Sequence, residues 1–216
     1  MTAQLLVLAK APVPGRVKTR LCPPCTPAQA ARIAAAALAD TLDAATGTGA
    51  RTVLALDGRM TAPAGVTVLR QRGGSLTRRI AAAFADATGG ARGPVLQIGM
   101  DTPQVSSDLL ERCLSTLDSG VDAVLGPAAD GGWWALGVHE PAHARLLVDV
   151  PMSTPDTGRL TLRALRGAGL RVAELPVLRD VDTCDDAVAV AALAPNGRFA
   201  ATVAGVRAGP GAGVAG

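Results

Sequence analysis

The stretch Leu5-Leu6-Val7-Leu8-Ala9-Lys10-Ala11-Pro12-Val13-Pro14-Gly15-Arg16-Val17-Lys18-Thr19-Arg20-Leu21 decides how the chain is read. Leu5 to Leu8 form an apolar run too short for a helix and bounded by turn signals, the pattern of a strand buried on both faces. Pro12, Pro14 and Gly15 break it, and Arg16, Lys18 and Arg20 place three cations just past the strand's carboxyl end. Open α/β sheets bind ligands at that end. Arginine offers a rigid fork to paired phosphate oxygens, lysine a point charge, and Gly15 lets the backbone approach an anion closely. A nucleotide polyphosphate fits such a loop, as does plain solvation of a basic turn. The order Pro-x-x-Gly-x-x-Lys-Thr-Arg-Leu is neither a P-loop nor the dinucleotide Gly-x-Gly-x-x-Gly.

Downstream, strands and helices alternate. Thr26-Pro27 reads as a cap and first turn of an alanine-rich helix to about Asp43, with Ala34, Leu38 and Leu42 on the face that covers the sheet. Strands are expected at 51–56, 66–69, 94–99, 122–126, 133–138 and 171–177. Helices are expected at 76–87 with Ile80 and Phe84 inward, from Ser106 or Ser107 to 119, weakly at 143–147, from a Thr154-Pro155 cap to 166, and from the Asp180–Asp186 segment to 193. Arg78 and Arg79 sit on an early helical turn that disfavours cations; they read mainly as solvated surface, with a ligand role as the alternative. This alternation predicts an α/β fold in three layers, one mostly parallel sheet between helices, Rossmann-like.

With 216 residues the chain is expected to form one domain over residues 1–194, burying about 70% of its unfolded surface, with 195–216 a flexible Gly/Ala/Pro-rich tail. Hydrophobic residues make up 49% and charged ones 18%, with no membrane-length apolar run and no signal-peptide pattern, so a cytoplasmic protein is expected. The net charge of +3 is spread along the chain and aromatics are only 2%, which argues against a nucleic-acid surface. Cys22-Pro-Pro-Cys25 reads as a rigid turn; a redox or zinc role would need partners that no second Cys-x-x-Cys supplies.

Three acidic loops follow strands and so gather at the edge that carries the basic loop: Asp101 in Gly99-Met-Asp-Thr-Pro103, Asp130 in Asp130-Gly-Gly132, and the Asp180/Asp182 pair. Carboxylates beside a phosphate-bearing substrate would repel it without a divalent cation, so Mg2+ or Mn2+ is expected. Each motif alone also reads as structure: an aspartate before Thr-Pro closes a turn, and Asp182-Thr183 with Asp185 and Asp186 favours a helix N-terminus.

Taken in order, the basic loop, Gly99–Pro103, Asp130-Gly-Gly-Trp-Trp-Ala-Leu-Gly137 and Asp180-Val-Asp-Thr-x-x-Asp186 resemble the nucleotide-diphospho-sugar transferase superfamily, the GT-A fold. The likeness is greatest to a bacterial glycosyltransferase-like family known as a domain of unknown function (DUF2064-like), related to 2-phospho-lactate guanylyltransferases and molybdenum-cofactor nucleotidyltransferases, and it spans Leu5 to about Leu193. The resemblance implies that Lys10 and Ala11 border the base pocket and that Gly15, Arg16, Lys18 and Arg20 hold phosphates. It implies further that Asp101 and Asp182 ligate the ion and that Asp130, Gly131, Gly132 and Trp133 line the sugar or acceptor side. Glycines 131 and 132 would let a ligand approach the backbone, and Trp133 would pack on a sugar face. Two departures stand out: Met152 where relatives commonly carry an aromatic, and the Cys-Pro-Pro-Cys turn. The expectation is a metal-dependent transferase with Lys18, Asp101 and Asp130 as catalytic residues. It would move a glycosyl group from a nucleotide sugar to a small-molecule acceptor. A nucleotidyl transfer from a nucleoside triphosphate and a non-catalytic nucleotide-binding role are the alternatives.

Overall fold

The structure is a computed structural model and describes residues 3–208. In chain order the strands are β1 Gln4–Lys10, β2 Arg51–Asp57, β3 Thr67–Arg70, β4 Val95–Gly99, β5 Ala123–Pro127, β6 Trp133–Val138 and β7 Val172–Glu174. The helices are α1 Pro27–Gly47, α2 Leu76–Ala87, α3 Ser107–Asp118, α4 Thr157–Gly167, α5 Cys184–Leu193 and α6 Arg198–Ala208, with short 3-10 segments at Thr19–Leu21 and Pro141–Leu147. The sheet runs β3-β2-β1-β4-β6-β5-β7, and only β6 opposes the rest. The α/β sandwich expected from sequence is the fold observed.

That single reversal positions the site. Because β1, β4, β5 and β7 share one direction, the loops after them open on one edge, and β6 begins there, at Trp133. One face of the sheet packs through Leu5, Val7 and Ile98 on α1 and α3; the other packs through Leu6, Val53 and Leu136 on α2, α4 and the Pro141–Leu147 turn. The α1 start is a full capping box, in which the Thr26 hydroxyl accepts from the Gln29 amide at 3.2 Å while Gln29 accepts from the Thr26 amide at 2.7 Å. α2 and α3 start on the Ser75 and Ser106 caps.

Two expectations are corrected. The helix expected from Thr154 begins only at Thr157: Ser153 adopts φ 60°, and the Thr154 amide is spent on the Thr157 hydroxyl at 3.1 Å, a turn that precedes the helix. The expected tail from residue 195 contains α6, whose Phe199 and Val203 bury against Ile33, Ala37 and Val190 on the side of α1 turned away from the sheet. Asp40 fixes its start by accepting from the Phe199 amide at 2.8 Å. Small alanines on α1 let α6 come close, so α1 is covered on two sides. Residues 209–216 of the expected tail lie outside the described residues.

Phe199 is 1% exposed, so Phe199→Ala should cost about 3–5 kcal/mol of unfolding free energy in a urea titration. An unchanged midpoint would make α6 dispensable to the fold.

Candidate functional site

The first turn after β1 carries the basic side chains. Lys10 ends the strand, with its amide donating to Met100 Sδ at 3.4 Å, so the basic and Gly99–Pro103 loops are joined where they begin. Lys18 sits in the left-handed region at φ 48°, ψ 41°, a conformation that costs about 1 kcal/mol or more for a residue with a Cβ. The turn aims its side chain inward: it is 7% exposed, with Nζ 2.6 Å from Asp101 Oδ1 and 3.6 Å from Asp182 Oδ1, and it donates to the Val181 carbonyl. Arg20 Nη1 lies 3.1 Å from the other Asp182 oxygen. The two acidic loops are tied together by the Val181 amide donating to the Asp101 carbonyl at 2.8 Å and Gln104 Nε2 donating to the Arg179 carbonyl at 2.7 Å. Thr183 and Asp186 then form the capping box that starts α5.

Asp180 lines the same edge. Burial first, then the neighbouring carboxylates Asp101 and Asp130, push its carboxyl up to about 7, so it is partly protonated at neutral pH. Asp130 is exposed and accepts from the Gly132 amide at 2.8 Å, an Asx turn at the end of β5.

Two cavities, of about 540 and 400 Å3, open on this edge and share Leu8, Arg20, Leu76, Gly99, Asp101 and Asp182. The smaller takes Lys10, Arg16 and Lys18, the larger Asp130, Gly132 and Trp133. Most of the residues singled out from sequence are therefore brought together, while Ala11, Gly15 and Gly131 lie off both cavity walls. Ala11 is 6% exposed in the core and lines neither cavity. Gly15 (φ 75°) shapes the turn, but it too lies off both walls. Gly131 (φ 88°) is crowded by the Pro155 backbone, and its carbonyl accepts from the Gly158 amide at 2.8 Å, so its small size serves a backbone crossing. Asp101 and Asp182, expected to share an ion, share the Lys18 ammonium. Among the described residues no three Asp, Glu, His or Cys side chains converge tightly enough to hold a metal by themselves.

Sequence reading does not single out Gln71 and reads Arg79 mainly as solvated surface. Both line the smaller cavity: Gln71 Nε2 donates to the Ala9 and Ala55 carbonyls at 2.9 Å, and Arg79 Nη1 reaches Gln71 Oε1 at 3.3 Å and Asp57 Oδ2 at 3.4 Å. Arg79 is held by strand ends distant in sequence, a pairing that helix position alone does not reveal. Of the tryptophans, Trp134 is core, donating to the Pro176 carbonyl at 2.9 Å, while Trp133 faces the larger cavity. Cys25 lies beside Cys184, Sγ to Sγ 3.9 Å, in the apolar cluster around Leu21 and Val181; burial and the neighbouring Cys184 push its thiol up to about 11.

Residues 29–154 match the family model described as "Uncharacterized protein conserved in bacteria (DUF2064)". A protein of Desulfovibrio desulfuricans G20, provisionally named a nucleotide-diphospho-sugar transferase, superposes with a TM-score of 0.84 over 96% of this chain and 95% of its own, at 26% identity. Rv0371c of Mycobacterium tuberculosis H37Rv, in complex with manganese, gives 0.52 over 88% and 97% at 23% identity. A cytidylyltransferase of Leptospira borgpetersenii serovar Hardjo-bovis (strain JB197) gives 0.58 over 96% and 94% at 13% identity. The last two show a shared fold alone. No curated protein matches the chain.

If the Lys18 ammonium supplies the positive charge between Asp101 and Asp182, Lys18→Met should lower stability by about 1–3 kcal/mol in metal-free buffer. Mn2+ should then raise the melting temperature of the variant more than that of the parent. Equal Mn2+ shifts would separate the ammonium from any cation site.

Proposed function

The chain belongs to the bacterial DUF2064 family, and from this site we propose a divalent-cation-dependent transferase that moves a glycosyl group from a nucleotide sugar to a small-molecule acceptor. The observation that carries the reading is the wall shared by two cavities, where a basic loop and two carboxylates meet. A nucleotide in the smaller cavity places its phosphates against Arg16, Lys18 and Arg20. The group to be transferred then crosses that wall toward Asp130 in the larger one.

The donor set suits a hard divalent ion: Asp101 and Asp182 supply two carboxylates, and substrate phosphates would complete the shell, the usual arrangement for Mg2+ or Mn2+. The Lys18 ammonium, 2.6 and 3.6 Å from the two carboxylates, supports the reading that this spot attracts a cation. The manganese complex of Rv0371c agrees with this choice of ion. When bound, the ion would act as a Lewis acid on the phosphate oxygens. Lys18, released from between the two carboxylates when the ion takes its place, and Arg20 neutralise charge that develops on the departing diphosphate. Asp130, exposed on the acceptor side, takes the proton of the acceptor hydroxyl.

Three cations on one turn also suit pyrophosphate, so nucleotidyl transfer from a nucleoside triphosphate is the second reading. The product separates them. Incubated with Mn2+ and a panel of nucleotide sugars and nucleoside triphosphates, the protein should release nucleoside diphosphate. Pyrophosphate would establish the second reading, and neither product would leave nucleotide binding without catalysis. Asp101→Ala should lower turnover about 100-fold or more with the fold intact by circular dichroism, since metal and charge stabilisation contribute several kcal/mol. Unchanged turnover would remove Asp101 from the site.

A further inference from the structure

Alternate residues of β4 face the same side of the sheet, and on the α2 side Gln97 lies between its register partners Leu6 and Leu136, both fully buried. A central strand covered on both faces calls for an apolar side chain at that position. Gln97 instead sets a carboxamide, only 3% exposed, in the wall of the larger cavity, and its Oε1 has no hydrogen-bond partner. Three further buried polar atoms without a partner belong to residues on the same wall: Thr102 Oγ1, Trp133 Nε1 and Asp180 Oδ1. Four of the nine such atoms among the described residues therefore border one cavity. Unpaired buried groups cost stability, and their concentration in one place marks a site where an occupant supplies the missing bonds.

The chemistry of the wall narrows the occupant. Gln97 and Trp133 are uncharged; a carboxamide both donates and accepts, and an indole N–H donates. Leu8, Leu76, Ile80 and Met152 form the apolar remainder; on the rim Asp101 and Asp182 are paired with Lys18 and Arg20, while the exposed Asp130 has no cationic partner among the described residues. An anionic group would meet the Asp130 carboxylate. A ring with several hydroxyls, no charge and a C–H face for Trp133 satisfies both the orphaned groups and the apolar wall.

We propose that this cavity is the subsite for an uncharged sugar ring, selected by the Gln97 carboxamide and the Trp133 indole N–H; this rests on the nucleotide-sugar reading above.

The test is calorimetric titration, with Mn2+ present, of UDP, GDP, UDP-glucose, GDP-mannose and UDP-glucuronate into the parent protein, Gln97→Leu and Trp133→Phe. For the base that binds, Gln97→Leu should weaken the neutral nucleotide sugar about tenfold or more and leave the bare diphosphate unchanged. Trp133→Phe, which keeps an aromatic face but removes the N–H donor with the pyrrole part of the indole, should give a smaller loss in the same direction and guards against a misfolded first variant. Unchanged nucleotide-sugar affinity in both variants, equal loss of sugar and diphosphate, or glucuronate binding as well as glucose would overturn the subsite while leaving the nucleotide reading standing. No binding of any nucleotide to the parent would overturn both. In the absence of ligand, Gln97→Leu should also raise the melting temperature by about 2–4 °C, because an unpaired amide leaves an apolar wall. A lower melting temperature would show Gln97 already satisfied by the fold, a structural role that overturns the proposal.

Discussion

Everything at the functional edge depends on one ammonium group held between two carboxylates. Lys18 Nζ touches Asp101, Asp182 and the Val181 carbonyl, three groups from loops more than 80 residues away from it in sequence. Without a cation the two aspartates would repel across a partly buried rim, against the hydrogen bonds that tie their loops together. The side chain gets there because Lys18 itself adopts a left-handed turn, strain that the surrounding contacts offset. Asp101 and Asp182 stand in the wall shared by the two cavities and Lys18 lines the smaller one, so the contact that holds the edge together is also the place where a phosphate would arrive.

The fold makes that contact possible through strand direction. Parallel β1, β4, β5 and β7 deliver the basic loop and all three acidic loops to one edge, and antiparallel β6 turns the chain back so that Trp133 starts beside them. Backbone bonds complete the frame: Val181 to Asp101 across the acidic loops, and Gly158 to Gly131 between the Asp130 loop and α4. Helix α1 anchors the opposite side, with its leucines on the sheet and its alanines under α6.

Much of this was legible in the sequence because it is local. Short apolar runs gave the seven strands, Thr and Ser caps gave the starts of α1 and α3, and the acidic Asp180–Asp186 segment gave that of α5. Charged loops placed after strands gave the edge. What was missed is long-range. α6 lies in a stretch whose glycine, alanine and proline mask one good anchor, Phe199, and its order comes from α1, not from its own pattern. Ala11 and Gly131 sit beside functional residues, but their small size serves packing. Gln71 and Arg79 acquire their place only when the ends of β1 and β2 come together. Gln97 is not singled out in the strand expected at 94–99; its meaning appears only once its neighbours prove fully buried.

The most direct measurement is anomalous diffraction from crystals grown with Mn2+ and a nucleoside diphosphate. The result expected is a manganese peak ligated by Asp101 and Asp182, with Lys18 Nζ withdrawn from between them onto a phosphate oxygen. A nucleotide bound elsewhere, or Lys18 still bridging the two carboxylates with the ion at another place, would contradict the site described.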